Sequence, residues 1–190
     1  MNVTIYFSPE ARGTTTIKVL DYFSEGVAFL NIYWARKIGY DFPKEVWLIP
    51  FNCTIESRLH VLQWKILVNI FPTAIILHKM KIKQSENCES CDARETVDHF
   101  FFCSKRRRIW SLVENNIQYL FSKRLELTWK DAILGVLPSD RYTKQELKTI
   151  NMIILLAKLS ISKSQYGPKQ DQCIIFENEL SIRGIMQAQG

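Results

Sequence analysis

The sequence is poor in the two residues that most often interrupt regular structure. Its 190 residues include only 7 Gly and 6 Pro, too few for a turn-rich β protein or a disordered chain. We find no alternation of apolar and polar residues that predicts a β-strand, no internal repeat and no low-complexity tract. Together with a hydrophobic content of 47%, these absences predict a globular, mostly α-helical protein.

Long apolar runs are also missing. The most apolar stretch, residues 152–159, is short and contains Lys158, whereas a helix needs about 20 apolar residues to span a bilayer. The first residues, Met1 to Tyr6, have neither the basic segment nor the apolar core of a secretory signal. We therefore expect no membrane partner and a location in the nucleus or the cytoplasm.

The motifs of several enzyme classes are absent too. The chain has no GxxxxGK[ST] phosphate loop, no GxSxG nucleophile elbow and no Asp-Asp pair of the kind that polymerases use. Asp140 and Glu146 superficially resemble a PD…ExK nuclease, but Glu146 opens a predicted helix, and the spacing is too short. His60 and His78 have no partner pattern. We therefore expect no enzymatic activity in this chain.

Acidic residues are outnumbered. The chain carries 25 Lys and Arg against 19 Asp and Glu, a net charge of +6. The excess is concentrated in residues 58–108, where ten basic residues face five acidic ones. A local basic excess favours an acidic partner such as nucleic acid.

Cysteine is scarce but clustered. Three of the five cysteines lie in the pattern C-x2-C-x7-H-x3-C, formed by Cys88, Cys91, His99 and Cys103. Zinc binds four nitrogen or sulfur ligands in a tetrahedron, and two close pairs joined by a short loop supply them. Since these four ligands close the site, we predict a structural Zn²⁺ rather than a catalytic one. An odd cysteine count in this spacing suits metal better than disulfides and indicates a reducing compartment.

The alternative for this cluster is a chance group of buried thiols. It is opposed by the polar residues in and around the first pair, Asn87, Glu89, Ser90, Asp92 and Arg94. The remaining two cysteines, Cys53 and Cys173, are interpreted as small buried hydrophobic residues.

Apolar periodicity predicts helices on both sides of the metal site. We place them at residues 17–38, 44–47, 55–70, 74–80, 96–121, 128–135, 143–166 and 171–185. The helix from about Thr96 to Phe121 would carry His99 and Cys103 on one face, since residues four apart are neighbours on a helix. The predicted fold is an irregular helical domain with a CCHC zinc knuckle between helices. Its predicted parts are an N-terminal lead-in at 1–43, a zinc-binding region at 44–125 and a C-terminal helical segment at 126–190.

Basic residues flank the predicted zinc site on both sides. The candidates for nucleic-acid contacts are Lys79, Lys81, Lys83, Arg94, Lys105, Arg106, Arg107 and Arg108. The run from Lys105 to Arg108 can form a solvated face, steady the anionic zinc centre or contact phosphates, which would make binding dependent on salt. Phe100, Phe101 and Phe102 can stack on unpaired bases. At least one of the three must pack inward, because consecutive helical residues point in different directions.

Several short motifs together resemble a known family. They are Leu62-Gln63-Trp64-Lys65-Ile66-Leu67, Phe71-Pro72-Thr73, Cys88…Cys91, Glu95-Thr96-Val97-Asp98-His99-Phe100-Phe101, Cys103 and Trp110. Their order resembles the zinc-binding region that follows the reverse transcriptase domain in non-LTR (LINE-type) retrotransposons. The resemblance covers roughly residues 40–185. The H-x3-C spacing departs from the H-x4-C of many members.

The resemblance implies binding of template RNA or target DNA during target-primed reverse transcription. It also implies the reverse transcriptase domain of the same element as a further partner. Because polymerase and endonuclease residues are missing, we expect an isolated C-terminal piece: a remnant, a separate reading frame or a host-adopted copy. Two alternatives stay open, a protein-interaction module in which zinc only holds helices together, and a remnant without function.

Overall fold

The computed structural model describes residues 34, 36–38 and 44–185. The chain divides into two units, residues 1–42 and 43–190. The predicted helix at 17–38 lies outside the described residues except for residues 34 and 36–38, which are helical. The description below concerns the second unit. Its predicted division into parts at 44–125 and 126–190 stays a prediction.

Eight α-helices make up most of the described part of this unit. They are α1 (Lys44–Cys53), α2 (Ser57–Leu67), α3 (Ala74–Lys79), α4 (Val97–Phe102), α5 (Arg107–Phe121), α6 (Trp129–Leu134), α7 (Lys144–Tyr166) and α8 (Gln172–Ile182). A 3-10 turn, Ser104–Arg106, lies between α4 and α5. Among the described residues, β pairing is limited to one isolated bridge between Asn87 and Arg94. The mostly α prediction is confirmed.

Threonine side chains cap the starts of two helices that the sequence predicts, at 128–135 and 143–166. Thr143 Oγ1 accepts a hydrogen bond from the Glu146 N–H, and Glu146 Oε2 accepts one from the Thr143 N–H. Thr128 and Asp131 form the same reciprocal capping box at α6. Each box satisfies two backbone donors that a helix start otherwise leaves free, so both predicted helices begin where the threonines stand.

Helix α7 forms the centre of the core. Its residues Ile150, Asn151 and Ile153–Ile161 are all buried, a pattern that runs round the whole helix and is typical of a helix enclosed on every side. Helices α1, α2, α5 and α8 pack against it. No helix in the described part combines the length and apolar character that a bilayer span requires.

The structure corrects the predictions around α1 and α2. The sequence predicts a single helical turn at 44–47, but α1 continues through Pro50 to Cys53. Pro50 lacks the N–H that the helix interior needs, yet it lies inside the helix and is buried, as are Val46 and Ile49. The predicted helix at 55–70 is also too long, because α2 covers only Ser57–Leu67. Ile55 lies before the helix and is 97% exposed, and Ile70 lies beyond it and is 47% exposed.

The predicted continuous helix at 96–121 is wrong. It starts as expected with Thr96 as its N-cap, but α4 ends at Phe102. Cys103 has an extended backbone with φ −65° and ψ 154°. After the 3-10 turn, α5 begins at Arg107. The two ligands of the second pair therefore do not share one helix face, and the basic run does not continue the ligand helix.

Candidate metal centre

Four ligand atoms converge at the break between α4 and α5. The sulfurs of Cys88, Cys91 and Cys103 and a ring nitrogen of His99 all lie within 4.8 Å of one another. Cys91 Sγ is 3.2 Å from His99 Nε2 and 3.7 Å from Cys103 Sγ, and Cys88 Sγ is 4.0 Å from Cys103 Sγ. A tetrahedron with Zn–S bonds of about 2.3 Å has sulfur–sulfur edges of about 3.8 Å. The cluster therefore has the donor set and spacing of a tetrahedral zinc site.

The first ligand pair lies in a short hairpin. The Cys88 N–H donates to the Ala93 carbonyl at 2.8 Å, and the Asp92 N–H donates to the Cys88 carbonyl at 2.9 Å. Asp92 has a φ of 56°, in the left-handed region, which Asp tolerates better than most residues. Its carboxylate accepts a hydrogen bond from the Asn87 side chain at 3.0 Å. These contacts hold both thiols on one side of the turn.

Neighbouring backbone N–H groups favour the thiolate form of all three cysteines. They lower the pKa of each thiol: the Ser90 N–H that of Cys88, the Ala93 N–H that of Cys91 and the Lys105 N–H that of Cys103. Burial alone would raise the pKa of Cys103, but the Lys105 N–H and the side-chain hydrogen bonds around this sulfur outweigh it, so the pKa is lowered. Cys103 has an extended backbone at the end of α4, and Lys105 follows it by two residues.

The pKa of Cys91 moves in the opposite direction. The Ala93 N–H lowers it, but burial and the neighbouring sulfurs of Cys103 and Cys88 outweigh that effect, so the pKa is raised. Three adjacent thiolates repel one another when no cation lies between them. A bound Zn²⁺ removes this repulsion and deprotonates a coordinating thiol outright. The donor chemistry thus fits a divalent ion held by three thiolates and one imidazole.

The second ligand pair depends on α4 and its end. The Thr96 side chain accepts a hydrogen bond from the His99 N–H at 3.4 Å and so starts the helix. Phe100 and Phe101 are buried, which confirms that members of the aromatic run pack inward. Trp110 Nε1 donates to the Phe101 carbonyl at 2.7 Å. This bond satisfies an acceptor that the early end of α4 leaves open, and it explains the tryptophan that follows the last cysteine.

Comparison with known proteins agrees with this geometry. Residues 26–110 match the family described as zinc-binding in reverse transcriptase. The chain contains a zinc-binding module related to reverse transcriptase. No curated protein and no solved structure matches the chain. The family match includes all four ligands and ends at Trp110, so α6, α7 and α8 lie outside it.

Two motifs of this zinc-binding module meet through a buried carboxylate. Glu95 is 4% exposed, and its Oε1 accepts a hydrogen bond from the Ala74 N–H at 2.7 Å. Ala74 is the first residue of α3, which Thr73 caps through the Ile76 N–H. The Pro72-Thr73 and Glu95-Thr96 segments are therefore joined directly. The sequence marks these residues as motif members but gives no indication of this contact.

The eight predicted nucleic-acid-binding residues of the module fall into three groups. Lys79, Lys81, Lys105 and Arg107 have no acidic partner among the described residues. Three others form surface ion pairs: Lys83 with Glu89 at 2.7 Å, Arg94 with Glu86 at 2.9 Å and Arg108 with Asp171 at 3.9 Å. Arg106 alone is buried, with 6% of its surface exposed. The structure therefore leaves seven of the eight cations at the surface or partly exposed.

The placement of Arg106 is a correction. A continuous helix would have put it one turn beyond Cys103 on the ligand face, free to reach a phosphate. It lies instead in the 3-10 turn, and its guanidinium donates to Gln172 Oε1 at 2.7 Å and to Gln165 Oε1 at 3.0 Å. It also lies 5.6 Å from the ring centre of Phe100. This arginine is therefore not available to a nucleic acid.

The remaining histidines and cysteines lie outside the ligand cluster. His60 Nε2 is 2.8 Å from the Thr54 carbonyl oxygen, and His78 Nδ1 is 3.1 Å from that of Lys83. Cys173 is buried as predicted, whereas Cys53 is only half-buried. All five cysteines are free thiols.

Proposed function

We propose that the chain is a zinc-stabilised nucleic-acid-binding module that works beside a reverse transcriptase of the non-LTR type and binds template RNA or target DNA. On this proposal the chain is not itself an enzyme, because four protein ligands leave Zn²⁺ no open position for an activated water. The zinc would instead fix the positions of the basic segments around it.

One observation carries this proposal: both basic segments lie beside the same turn of the zinc site. The Lys83 amino group donates to Glu89, between the first two ligands, at 2.7 Å. This hydrogen bond, together with the charge of Lys83 and then that of Lys105, lowers the pKa of Glu89. Residues 79–83 and 105–108 therefore flank the Cys88–Cys91 turn. Their unpaired cations can neutralise phosphates along one nucleic-acid strand.

Apolar side chains lie among these cations. Met80 is 63% exposed and Ile82 is 65% exposed, and they alternate with the three lysines of the first segment. Phe102, next to the ligand Cys103, is 36% exposed, and its ring centre lies 5.9 Å from that of Trp110. A positively charged surface with exposed apolar and aromatic groups suits single strands, whose bases can stack on them.

The test is a salt titration of binding. We expect the zinc-loaded chain to bind single-stranded RNA or DNA with an affinity that falls steeply as salt rises. Each lost phosphate contact reduces the slope of log K against log[salt] by about 0.7 for a single strand. The double variant Lys79→Gln/Arg107→Gln should therefore lower the slope by about 1.4.

Lys144→Gln is the matched control. Lys144 is an exposed lysine at the opposite end of α7 from Tyr166, about 33 Å along the helix axis. Tyr166 stacks on Phe100 with an interplanar angle of 1°, so that end of α7 adjoins the zinc site. If the control and the double variant change binding equally, or if neither changes it, the proposal fails.

A second candidate is docking of a protein partner, such as the polymerase domain of the same element. Ile55 is 97% exposed and Ile182 is 79% exposed. They flank Glu56 and Arg183, which form two hydrogen bonds of 2.7 Å with each other. An apolar pair next to a fixed ion pair can serve as a contact surface. Binding to nucleic acid that is weak at low salt would favour this second candidate.

A further inference from the structure

Arg106 is the most enclosed cation in the zinc-bearing part of the chain. It is 6% exposed, and its Nε has no hydrogen-bond partner among the described residues. Its guanidinium forms no ion pair with a carboxylate in that part of the molecule. A buried charge is costly unless something compensates it, so this arginine needs an explanation that surface binding does not provide.

The groups that hold the guanidinium are neutral. Gln165 and Gln172 accept its hydrogen bonds through amide oxygens, and Phe100 offers the face of its ring. Gln172 also donates a hydrogen bond to the Lys105 carbonyl at 3.3 Å. It therefore forms hydrogen bonds with two residues of the 3-10 turn, Lys105 and Arg106. These neutral partners fix the position of Arg106 but leave its positive charge uncompensated.

The negative groups that act on Arg106 come from the zinc site and from side chains next to it. Burial lowers the pKa of Arg106, and Cys103, Glu95, Cys88 and Tyr166 oppose that effect in this order. Two of these four, including the first, are zinc ligands. The backbone N–H of Arg106 donates a hydrogen bond to the backbone carbonyl of the ligand Cys103 at 2.8 Å. A Zn²⁺ held by three thiolates and a neutral imidazole carries a net charge of about −1, which one buried cation balances.

We propose that Arg106 is the counter-charge of the zinc centre and that, through Gln165 at the end of α7 and Gln172 at the start of α8, it couples zinc binding to the packing of these two helices. The proposal goes beyond nucleic-acid binding, because it concerns what the metal stabilises. Both glutamines lie outside the segment that matches the zinc-binding family. The metal would thus stabilise a part of the fold that the family motif does not contain.

The first test compares two neighbouring arginines. Arg106→Gln removes the buried charge, whereas Arg107→Gln removes an exposed one. Zinc affinity is measured by competition with a chromophoric chelator on the full chain. Groups that support metal ligands typically contribute 10–100-fold to affinity, so we expect a loss of that size for Arg106→Gln and less than a twofold change for Arg107→Gln. Equal zinc affinity in the wild type and Arg106→Gln would overturn the proposal.

Arg106→Lys separates charge from packing. Lysine keeps the positive charge but cannot donate to both glutamines as the planar guanidinium does. We expect it to recover at least half of the lost zinc affinity on a logarithmic scale. A lysine variant as weak as Arg106→Gln would show that the shape of the side chain matters and its charge does not. The visible spectrum of the Co²⁺-loaded variants checks that the three sulfurs and the imidazole are still the ligands.

The second test measures the coupling and does not depend on Arg106 variants folding. Amide hydrogen exchange at residues 163–175 is followed with zinc and after chelation. In the wild type we expect chelation to raise exchange at least tenfold at the α7–α8 junction. The double variant Gln165→Leu/Gln172→Leu keeps Arg106 but removes the two amide oxygens that accept its hydrogen bonds. In this variant chelation should no longer raise exchange at the α7–α8 junction. Unchanged exchange in the chelated wild type would refute the coupling.

Discussion

The amino group of Lys158 is enclosed in the centre of the helical core. Its residue is 1% exposed. Nζ donates to Gln63 Oε1 at 2.6 Å and to the Ile133 carbonyl at 3.1 Å. Gln63 Nε2 donates to the same carbonyl at 2.9 Å. These three residues join α7, α2 and α6 through a single buried polar triangle, and a proton on Lys158 puts a positive charge inside it.

The structure predicts how this proton affects stability. Burial lowers the pKa of Lys158 from 10.5 to about 7, and the charge of Cys53 only partly opposes this. Between pH 7 and pH 10.5 the unfolded chain holds a proton that the folded chain has released, so the free energy of unfolding rises with pH. Below pH 7 both states are protonated, and the folded state carries the full cost of the buried charge. From pH 7 to pH 9 the gain is about 2 kcal/mol, at up to 1.4 kcal/mol per pH unit.

The assay is urea unfolding of zinc-saturated protein at pH 7, 8 and 9. Wild type is compared with Lys158→Met, because zinc ligands of the unfolded chain also titrate in this range and only the difference isolates Lys158. Relative to the methionine variant, the wild type should gain about 2 kcal/mol between pH 7 and pH 9. The control variant Lys144→Met removes an exposed lysine from the first turn of the same helix. Its free energy of unfolding should differ from that of the wild type by the same amount at all three pH values.

Parallel pH profiles for the wild type and Lys158→Met would refute this reasoning. They would mean that the lysine stays charged inside the folded protein. In that case the two oxygen acceptors from Gln63 and Ile133 would stabilise the ammonium group as well as water does, despite its burial.

Two further predictions concern the metal site and the loop after α6. Cys91→Ser replaces an exposed thiol and leaves no cavity. It should nevertheless abolish stoichiometric zinc binding and lower the melting temperature to that of the chelated wild type. The control variant Cys53→Ser should keep its zinc. Gly135→Ala should destabilise the fold by about 2–4 kcal/mol in urea, because the new Cβ would lie 2.7 Å from Asn151 Oδ1 at a φ of +92°. Gly184 is the matched control site, because it also has a positive φ of +62° but has open space around it. Gly184→Ala should therefore lower the free energy of unfolding by less than Gly135→Ala. Full zinc content in the serine variant, or equal losses at both glycines, would contradict these expectations.

The zinc site was predictable from the sequence because its four ligands lie close together along the chain. All four ligands fall within residues 88–103, and the spacing of the pairs restricts them to one small volume whatever the rest of the chain does. Helix starts were predictable for a similar reason. The Thr128 and Thr143 capping boxes each depend on residues only three positions apart.

The break at Cys103 could not be deduced from periodicity. Residues 96–121 have a continuous apolar pattern that predicts one helix. His99 and Cys103 are four residues apart, a separation that places two residues on the same face of a helix. In the structure Cys103 is extended instead, and its sulfur lies in the cluster with the other three ligand atoms. A local preference was thus overridden by the requirements of the ligand cluster.

The burial of Arg106 was beyond sequence reasoning for a different reason. Within the run from Lys105 to Arg108, composition gives no ground for treating one cation differently from its neighbours. The partners that enclose Arg106 are 59 and 66 positions away along the chain. Nothing in the spacing of Gln165 and Gln172 indicates that they face this arginine.

The motif residues of the zinc-binding module act mainly by linking its segments. Glu95 joins the metal hairpin to α3, and Trp110 joins α5 to the end of α4. Gln63 reaches further, because its carboxamide oxygen accepts a hydrogen bond from Lys158, 95 positions along the chain. The family match stops at residue 110, yet this glutamine finds its partners on α6 and α7. A buried amide with no partner would be costly, so the motif glutamine itself implies that the zinc-binding region and the helices that follow it fold as one structure.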